Sequence, residues 1–382
     1  MENTTVTGKK KSGKNGEIEL LRFIAALSVL FFHLNKHVLG RVTFPGSKWG
    51  FFNEAVTGVE FFFLCSGFLM AHSAYKEYSA NPLPDDKTLG KSVSSFLYRK
   101  VMAFLPYHII AFVLAWITVT VIDWKGVAHA VYSAIESIPS FFLIHMSGLK
   151  MENPQFVEWY LSVMVLGMLI LYPIIRKRFH VFTRVIAPAA GIFILGYMYH
   201  KYHVLGDVKS WDVISFKAML RGVAELCLGA FTFEVVRILK DKINVEKIKV
   251  LNTIIYVGGI IVFILFSCRK LKGHLNQEYQ FLAVPLFMLI IAVCFLGGTC
   301  FSNALNNKVV MFLGKFSLPL YLAQVVGISI AESKLLPKSM GGVTKFVIGA
   351  VISLVTALIV MWIGDAIKRC IDRKKTHAPY SL

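Results

Sequence analysis

Apolar runs about 20 residues long recur along the whole chain, and that is the length a helix needs to cross the hydrocarbon core of a bilayer. Ten are strong: roughly 18–38, 55–74, 102–122, 156–175, 185–200, 218–237, 250–268, 280–299, 309–331 and 343–365. A transmembrane barrel would instead show shorter segments of alternating polarity. The pattern therefore predicts an all-α, polytopic membrane protein with about ten transmembrane helices. An eleventh stretch, 127–147, is apolar but is interrupted by His129, Glu136, Pro139 and His145. The expected division is a basic tail over 1–16, one membrane domain over 17–366 and a second basic tail over 367–382.

Charge decides whether 127–147 crosses. Lys and Arg accumulate on the cytoplasmic side of membrane proteins. If 127–147 stays on one side, 24 Lys and Arg residues fall on the face that carries both termini and 12 on the other. If it crosses, the clusters at 176–178 and 240–249 change sides. The reading is ten spans, both termini cytoplasmic, a multi-pass protein of the plasma membrane, and 127–147 lying on or dipping into the outer face. Trp49, Trp124 and Trp211 fall in the expected outer loops, as interfacial anchors do.

Composition narrows the class further. Of 382 residues, 56% are hydrophobic and only 16% charged, against roughly 45–50% and about 25% in soluble domains. The net charge of +19 suits loops that face a membrane surface, and no nucleic-acid partner is expected. Six cysteines lie in or beside apolar runs without zinc-type spacing, so neither a metal site nor a disulfide framework is expected. No phosphate-binding glycine loop is present, and the Gly258-Gly259 and Gly297-Gly298 pairs read as close helix contacts.

An ionisable side chain in hydrocarbon costs several kcal/mol and usually faces a bundle interior or a cavity. The first span holds Arg22 and His33. Eleven residues turn the helix about 20° past three full turns, so both share one face about 16 Å apart in height. Glu60, in the second span, lies at a depth similar to that of His33 and is expected to orient its imidazole. Arg221 and Glu225 in the sixth span are four residues apart and can pair, either as a self-neutralised pair or as part of a site. Glu158, Trp159 and Tyr160 open the fourth span at the outer surface. They fit either an aromatic belt or a platform for a sugar ring.

Four stretches in order, ELLRFIAALSVLFFH ending at His33, GVEFFFLCSGFLM at 58–70, FLYRKVMAFLPYH at 96–108 and LGKFSLPLYLAQ at 313–324, resemble the acyltransferase-3 family, and WYLSVMVLGMLILYP at 159–173 fits one of its branches. The resemblance spans nearly the whole chain. Several positions depart from the family pattern. Glu60 stands for the commoner Asp, and the family's Arg-x-x-Arg falls on Lys100 and Ala103, with Arg99 adjacent. Val163 and Met164 stand where many members have an acidic residue, and Gln324 where many have His.

The resemblance implies a membrane O-acyltransferase. It would move an acyl group, usually acetyl from cytosolic acetyl-CoA, to a hydroxyl of an extracytoplasmic or lipid-linked carbohydrate. It makes His33 the general base with Glu60 beside it, and places Arg22, Arg99 and Lys100 at the inner mouth for the phosphates of CoA. Ser66 is a small helix-contact residue or a covalent relay. The partners expected are acyl-CoA, a carbohydrate acceptor and membrane lipids, with no metal. The rival class is a transporter or flippase for a polar lipid or sugar, which would also hold Arg, His and Glu within the membrane.

Overall fold

The computed structural model describes residues 15–42, 44, 49–149, 154–269 and 278–377. Most of the expected first tail, the last five residues of the second, and Lys48, Lys150, Lys270 and Lys272, counted above for charge, lie outside the described residues. The chain is helical almost throughout. Helix α1 covers Gly16–Leu34 and continues as a π-helical turn over Asn35–Leu39; α2 is Gly58–Ala80 and α3 Asp86–Ile122. Two short helices follow, α4 Val127–Glu136 and α5 Ile138–Phe141, then α6 Trp159–Lys177. Helix α7, Phe179–Val181, runs through a π turn into α8, Ala187–Tyr202. A two-residue hairpin, β1 Trp211–Asp212 and β2 Ser215–Phe216, precedes α9, Lys217–Lys240. The chain ends with α10 Val245–Ser267, α11 Ala283–Phe295, α12 Ser302–Leu305, α13 Lys308–Glu332 and α14 Gly342–His377.

Among the described residues, eight helical stretches are long and apolar enough to cross a membrane. Two further long helices, α1 and α9, have the necessary length but carry more charge: Glu17, Glu19 and Arg22 in α1, and Arg221, Glu225, Glu234 and Arg237 among others in α9. Together they account for the ten predicted spans. The 127–147 segment breaks into pieces of ten and four residues. Ten residues rise only about 15 Å, half of the hydrocarbon thickness, so this segment does not cross. Trp49, Trp124 and Trp211 are exposed.

The charged helices sit inside the bundle. Helix α2 packs against α9, α6, α11 and α1, and α13 packs against α14, α1 and α3. The α2–α9 approach is close enough that a Cβ at Gly67 would strike the Leu226 carbonyl, and one at Gly229 the Leu64 carbonyl, the small-residue packing that membrane helices use. Gly259 likewise sits against Ile290. The Gly297-Gly298 pair differs from expectation: α11 ends at Phe295, and both glycines occupy a loop at φ +126° and +74°, where side chains are strained. On the periphery, Phe193 of α8, Ile254 of α10 and Trp362 of α14 point outward, as lipid-facing residues would.

Two faces follow from the helix ends. On the proximal face, Asn15 caps α1 and donates to the Cys294 carbonyl (2.8 Å), and the Glu17 carboxylate accepts from Thr299 and Ser302. On the distal face, Asn35 donates to Asn53 (2.6 Å), the Glu54 amide to the Ser267 carbonyl (3.0 Å) and Gln280 to Glu54 (2.6 Å).

Candidate active site

Helices α1, α2, α3, α6 and α13 enclose a cavity of about 350 Å³. Its proximal end carries Glu19, Arg22 and Lys100. Arg22 reaches the Glu19 carboxylate at 3.3 Å and keeps its side chain 35% exposed. Lys100 makes no hydrogen bond or ion pair among the described residues. Ala103, at the family's second Arg position, also lines the wall, so that position offers space instead of charge.

Deeper in, Ser66 Oγ lies 3.0 Å from the Tyr160 hydroxyl, which also lies 3.1 Å from the Phe62 carbonyl. A phenol has one proton to give. Tyr160 therefore donates to Phe62, and Ser66 donates to Tyr160. The distal end is shut by the rings of Phe62, Tyr160 and Tyr321, whose centroids stand 5.8–6.0 Å apart.

His33 lies beyond this aromatic closure and is not part of the cavity wall. Its Nδ1 is buried without a hydrogen-bond partner among the described residues. The ring packs against Phe156 at 5.1 Å and His37 at 6.1 Å. His37 in turn places Nδ1 3.2 Å from Glu332.

Glu60 does not orient His33. Its carboxylate is bonded to the Arg221 guanidinium, which also donates to Glu225 at 3.3 Å and to the Leu205 carbonyl at 3.3 Å. Arg221 is the largest fully buried side chain, and its guanidinium lies over the Trp159 ring at 5.3 Å. The reason is energetic: a carboxylate taken out of water needs a cation with several donors, and a guanidinium meets that need better than a neutral imidazole. The expected Arg221–Glu225 pair is thus one side of a cluster of three.

Arg99 also departs from expectation. Its side chain is 57% exposed and is bonded to Ser95 and Glu77, away from the cavity. Adjacent residues on a helix point about 100° apart, so Arg99 and Lys100 cannot share one ligand-facing direction. Glu158 and Trp159 form neither an exposed platform nor a surface belt. Both are buried, and Glu158 Oε2 sits 3.0 Å from His108 Nδ1, whose Nε2 lies 2.9 Å from the Phe141 carbonyl. Gln324 is buried too, donating to the Tyr321 carbonyl at 2.7 Å.

The sequence reading passed over the strap of residues 155–160. Gln155 donates to the Leu322 carbonyl of α13 (2.7 Å), Phe156 packs on His33 of α1, and Tyr321 of α13 donates to the Val157 carbonyl (2.6 Å). Glu158 meets α3, Trp159 meets α9 and Tyr160 meets α2. Six consecutive residues therefore tie together five helices. Glu158, Trp159 and Tyr160 gave the only hint of this in the sequence. His108, isolated in an apolar span, was the signal for the Glu158 pairing.

Among the described residues no cluster of His, Cys, Asp or Glu could hold a metal ion. No solved structure matches the chain. Proteins from Staphylococcus aureus strains COL, MSSA476 and MRSA252, named as inferred O-acetyltransferases, are each 26% identical over 338 residues, covering 82% of this chain and 50% of theirs. The chain thus spans about half the length of the curated relatives it matches. Residues 15–364 match the acyltransferase domain that defines the acyltransferase-3 family. A match across the whole helical bundle, cavity included, makes this chain a member of that family.

Proposed function

We propose that the chain is a membrane O-acyltransferase that takes an acyl group, most simply acetyl, from cytosolic acyl-CoA and transfers it to a hydroxyl of an extracytoplasmic or lipid-linked carbohydrate. The observation that carries this reading is the cavity itself. It has two cations at one mouth and a Ser66–Tyr160 pair at its closed end. Arg22 and the unpaired Lys100 suit the phosphates of CoA, and the narrow interior beyond them suits the pantetheine arm and its acyl group. The proximal face, which carries the start of α1 and the end of α14, is the cytoplasmic one in this reading. The excess of Lys and Arg on that face supports it, and the membrane is the plasma membrane. Residues 17–366 act as one acyltransferase domain between basic ends.

His33 is the general base of the proposal. A sugar hydroxyl is a weak nucleophile at neutral pH, and a positioned base contributes roughly 10²–10⁴-fold. The Nδ1 of His33, buried and unpaired, is free to take the hydroxyl proton as the oxygen attacks the thioester carbonyl and CoA thiolate leaves. Since the Phe62–Tyr160–Tyr321 closure lies between His33 and the cavity, the rings must part for transfer. The names of the relatives support acetyl as the group moved.

The test is incorporation of radioactive acetyl from acetyl-CoA into acceptors of membranes containing the wild type or His33→Ala. Incorporation by the wild type and its loss in a well-inserted His33→Ala protein are expected. No incorporation by either, with passage of a polar lipid or sugar instead, would favour a transporter.

A further inference from the structure

We propose that His37 and Glu332 form the proton exit of the site, carrying the acceptor's proton from His33 to water on the distal face. The inference rests on the reading of His33 as base. Three side chains stand in sequence from interior to surface. His33 has a buried, unpaired Nδ1; the His37 side chain is 26% exposed; that of Glu332 is 54% exposed. The two imidazole centroids are 6.1 Å apart, close enough for one water to bridge the rings, and both rings lie against the same face-giving neighbour, Phe156, at 5.1 and 5.5 Å. His37 Nδ1 lies 3.2 Å from Glu332 Oε2, and a carboxylate there stabilises the imidazolium that a passing proton creates.

The backbone contributes as well. His37 falls within the π-helical turn Asn35–Leu39 that ends the first helix. Asn35 pins this turn by bonding Asn53 and the Phe51 carbonyl, and Gly40 ends it at φ +67°.

The step balances as follows. The acceptor O–H bond breaks as its oxygen bonds to the acyl carbon, and the proton moves to His33. The acyl–sulfur bond breaks, and the electron pair leaves on CoA thiolate. His33 gives the proton through water to His37, which releases it past Glu332 to the distal solvent. The thiolate takes a proton from water on the proximal side.

The experiment measures initial rates of radioactive acetyl incorporation into membrane acceptors for wild type, His33→Ala, His37→Ala, His37→Gln and Glu332→Gln, with and without added imidazole. Glutamine at 37 can still donate to Glu332 but cannot relay a proton. A relay therefore predicts that His37→Gln and His37→Ala both lose about tenfold or more in turnover, with the apparent KM for acetyl-CoA unchanged. Imidazole restores His37→Ala, where a space is left, and leaves His37→Gln slow. Glu332→Gln falls less, since it removes the charge but not the ring. A purely structural tie predicts wild-type turnover for His37→Gln and no rescue of His37→Ala, and either result overturns the proposal. Persisting transfer in His33→Ala instead overturns the reading on which it rests, and the two failures are read from different variants.

Discussion

Two groups of charged side chains lie within the helical bundle, and they are built differently. Glu60, Arg221 and Glu225 are at most 1% exposed, and the guanidinium is bonded on three sides. Glu19, Arg22 and Lys100 surround an open cavity, with one 3.3 Å pairing between the first two and no hydrogen-bond or ion-pair partner for the third among the described residues. The sequence marked Arg22, Glu60, Arg221 and Glu225 alike as intramembrane charges and so as candidates for a site, and put Lys100 at the inner mouth. Structure separates them by burial and access. The first cluster is sealed inside the bundle around its guanidinium, with Glu60 Oε1 and Glu225 Oε2 left without hydrogen-bond partners among the described residues, and it holds α2 to α9 and to the strap at Trp159. The second lines a cavity that a ligand can enter.

The largest effect should come from breaking the sealed cluster. Arg221→Leu leaves two buried carboxylates without their cation, and removal of one partner from a buried ion pair costs about 3–5 kcal/mol. We expect little folded protein after detergent extraction. Glu225→Gln should be far milder, because one carboxylate and one guanidinium still balance. A wild-type melting temperature for Arg221→Leu would break the comparison at its stronger end.

The next effect belongs to the cavity. Lys100→Ala should leave melting unchanged and raise the apparent KM for acetyl-CoA about tenfold, since a hydrogen bond to a charged group contributes roughly 1.5–3 kcal/mol. Adding Arg22→Ala should weaken donor use further. A KM that stays put in the double variant would move the phosphates elsewhere. Within the cavity, Tyr160→Phe keeps the ring in the aromatic closure but removes the hydroxyl that joins Ser66 to the Phe62 carbonyl. The loss should be about 1 kcal/mol of stability, read as a small drop in melting temperature, with the KM for acetyl-CoA unaffected.

The sequence was informative wherever one dimension suffices. Apolar run length placed the long helices, and the distribution of Lys and Arg marked 127–147 as a segment that does not span. Depth along a helix was legible too, which is why Arg22 fell at the proximal mouth. Partner choice was not. Glu60 and His33 share a depth, but depth says nothing of the direction in which each helix turns its residues, and Glu60 is turned toward Arg221. Glu158 looked like a surface residue because it opens a span. The long α3 carries His108 up to the same level and buries it. The strap was hidden for a different reason: its six residues make long-range bonds through backbone carbonyls of Leu322, Val157 and Phe62, and carbonyls have no signature in a sequence.

The smallest expected effect is the sharpest test of direction. Arg99 and Lys100 are neighbours of like charge, and sequence reasoning gave them one joint role. In the fold they diverge. Arg99 is exposed and spends its donors on Ser95 and Glu77, while Lys100 faces the cavity. An exposed ion pair contributes about 0–1 kcal/mol, and Glu77 keeps Arg176 at 3.5 Å when Arg99 is removed. Arg99→Ala should therefore change melting by a degree or so at most and leave the KM for acetyl-CoA at its wild-type value, where Lys100→Ala raises it. Side-by-side donor titrations of the two variants in the same membranes check this. If both raise KM equally, the two cations share the phosphates, and helical phase at this mouth does not decide which side chain meets the donor.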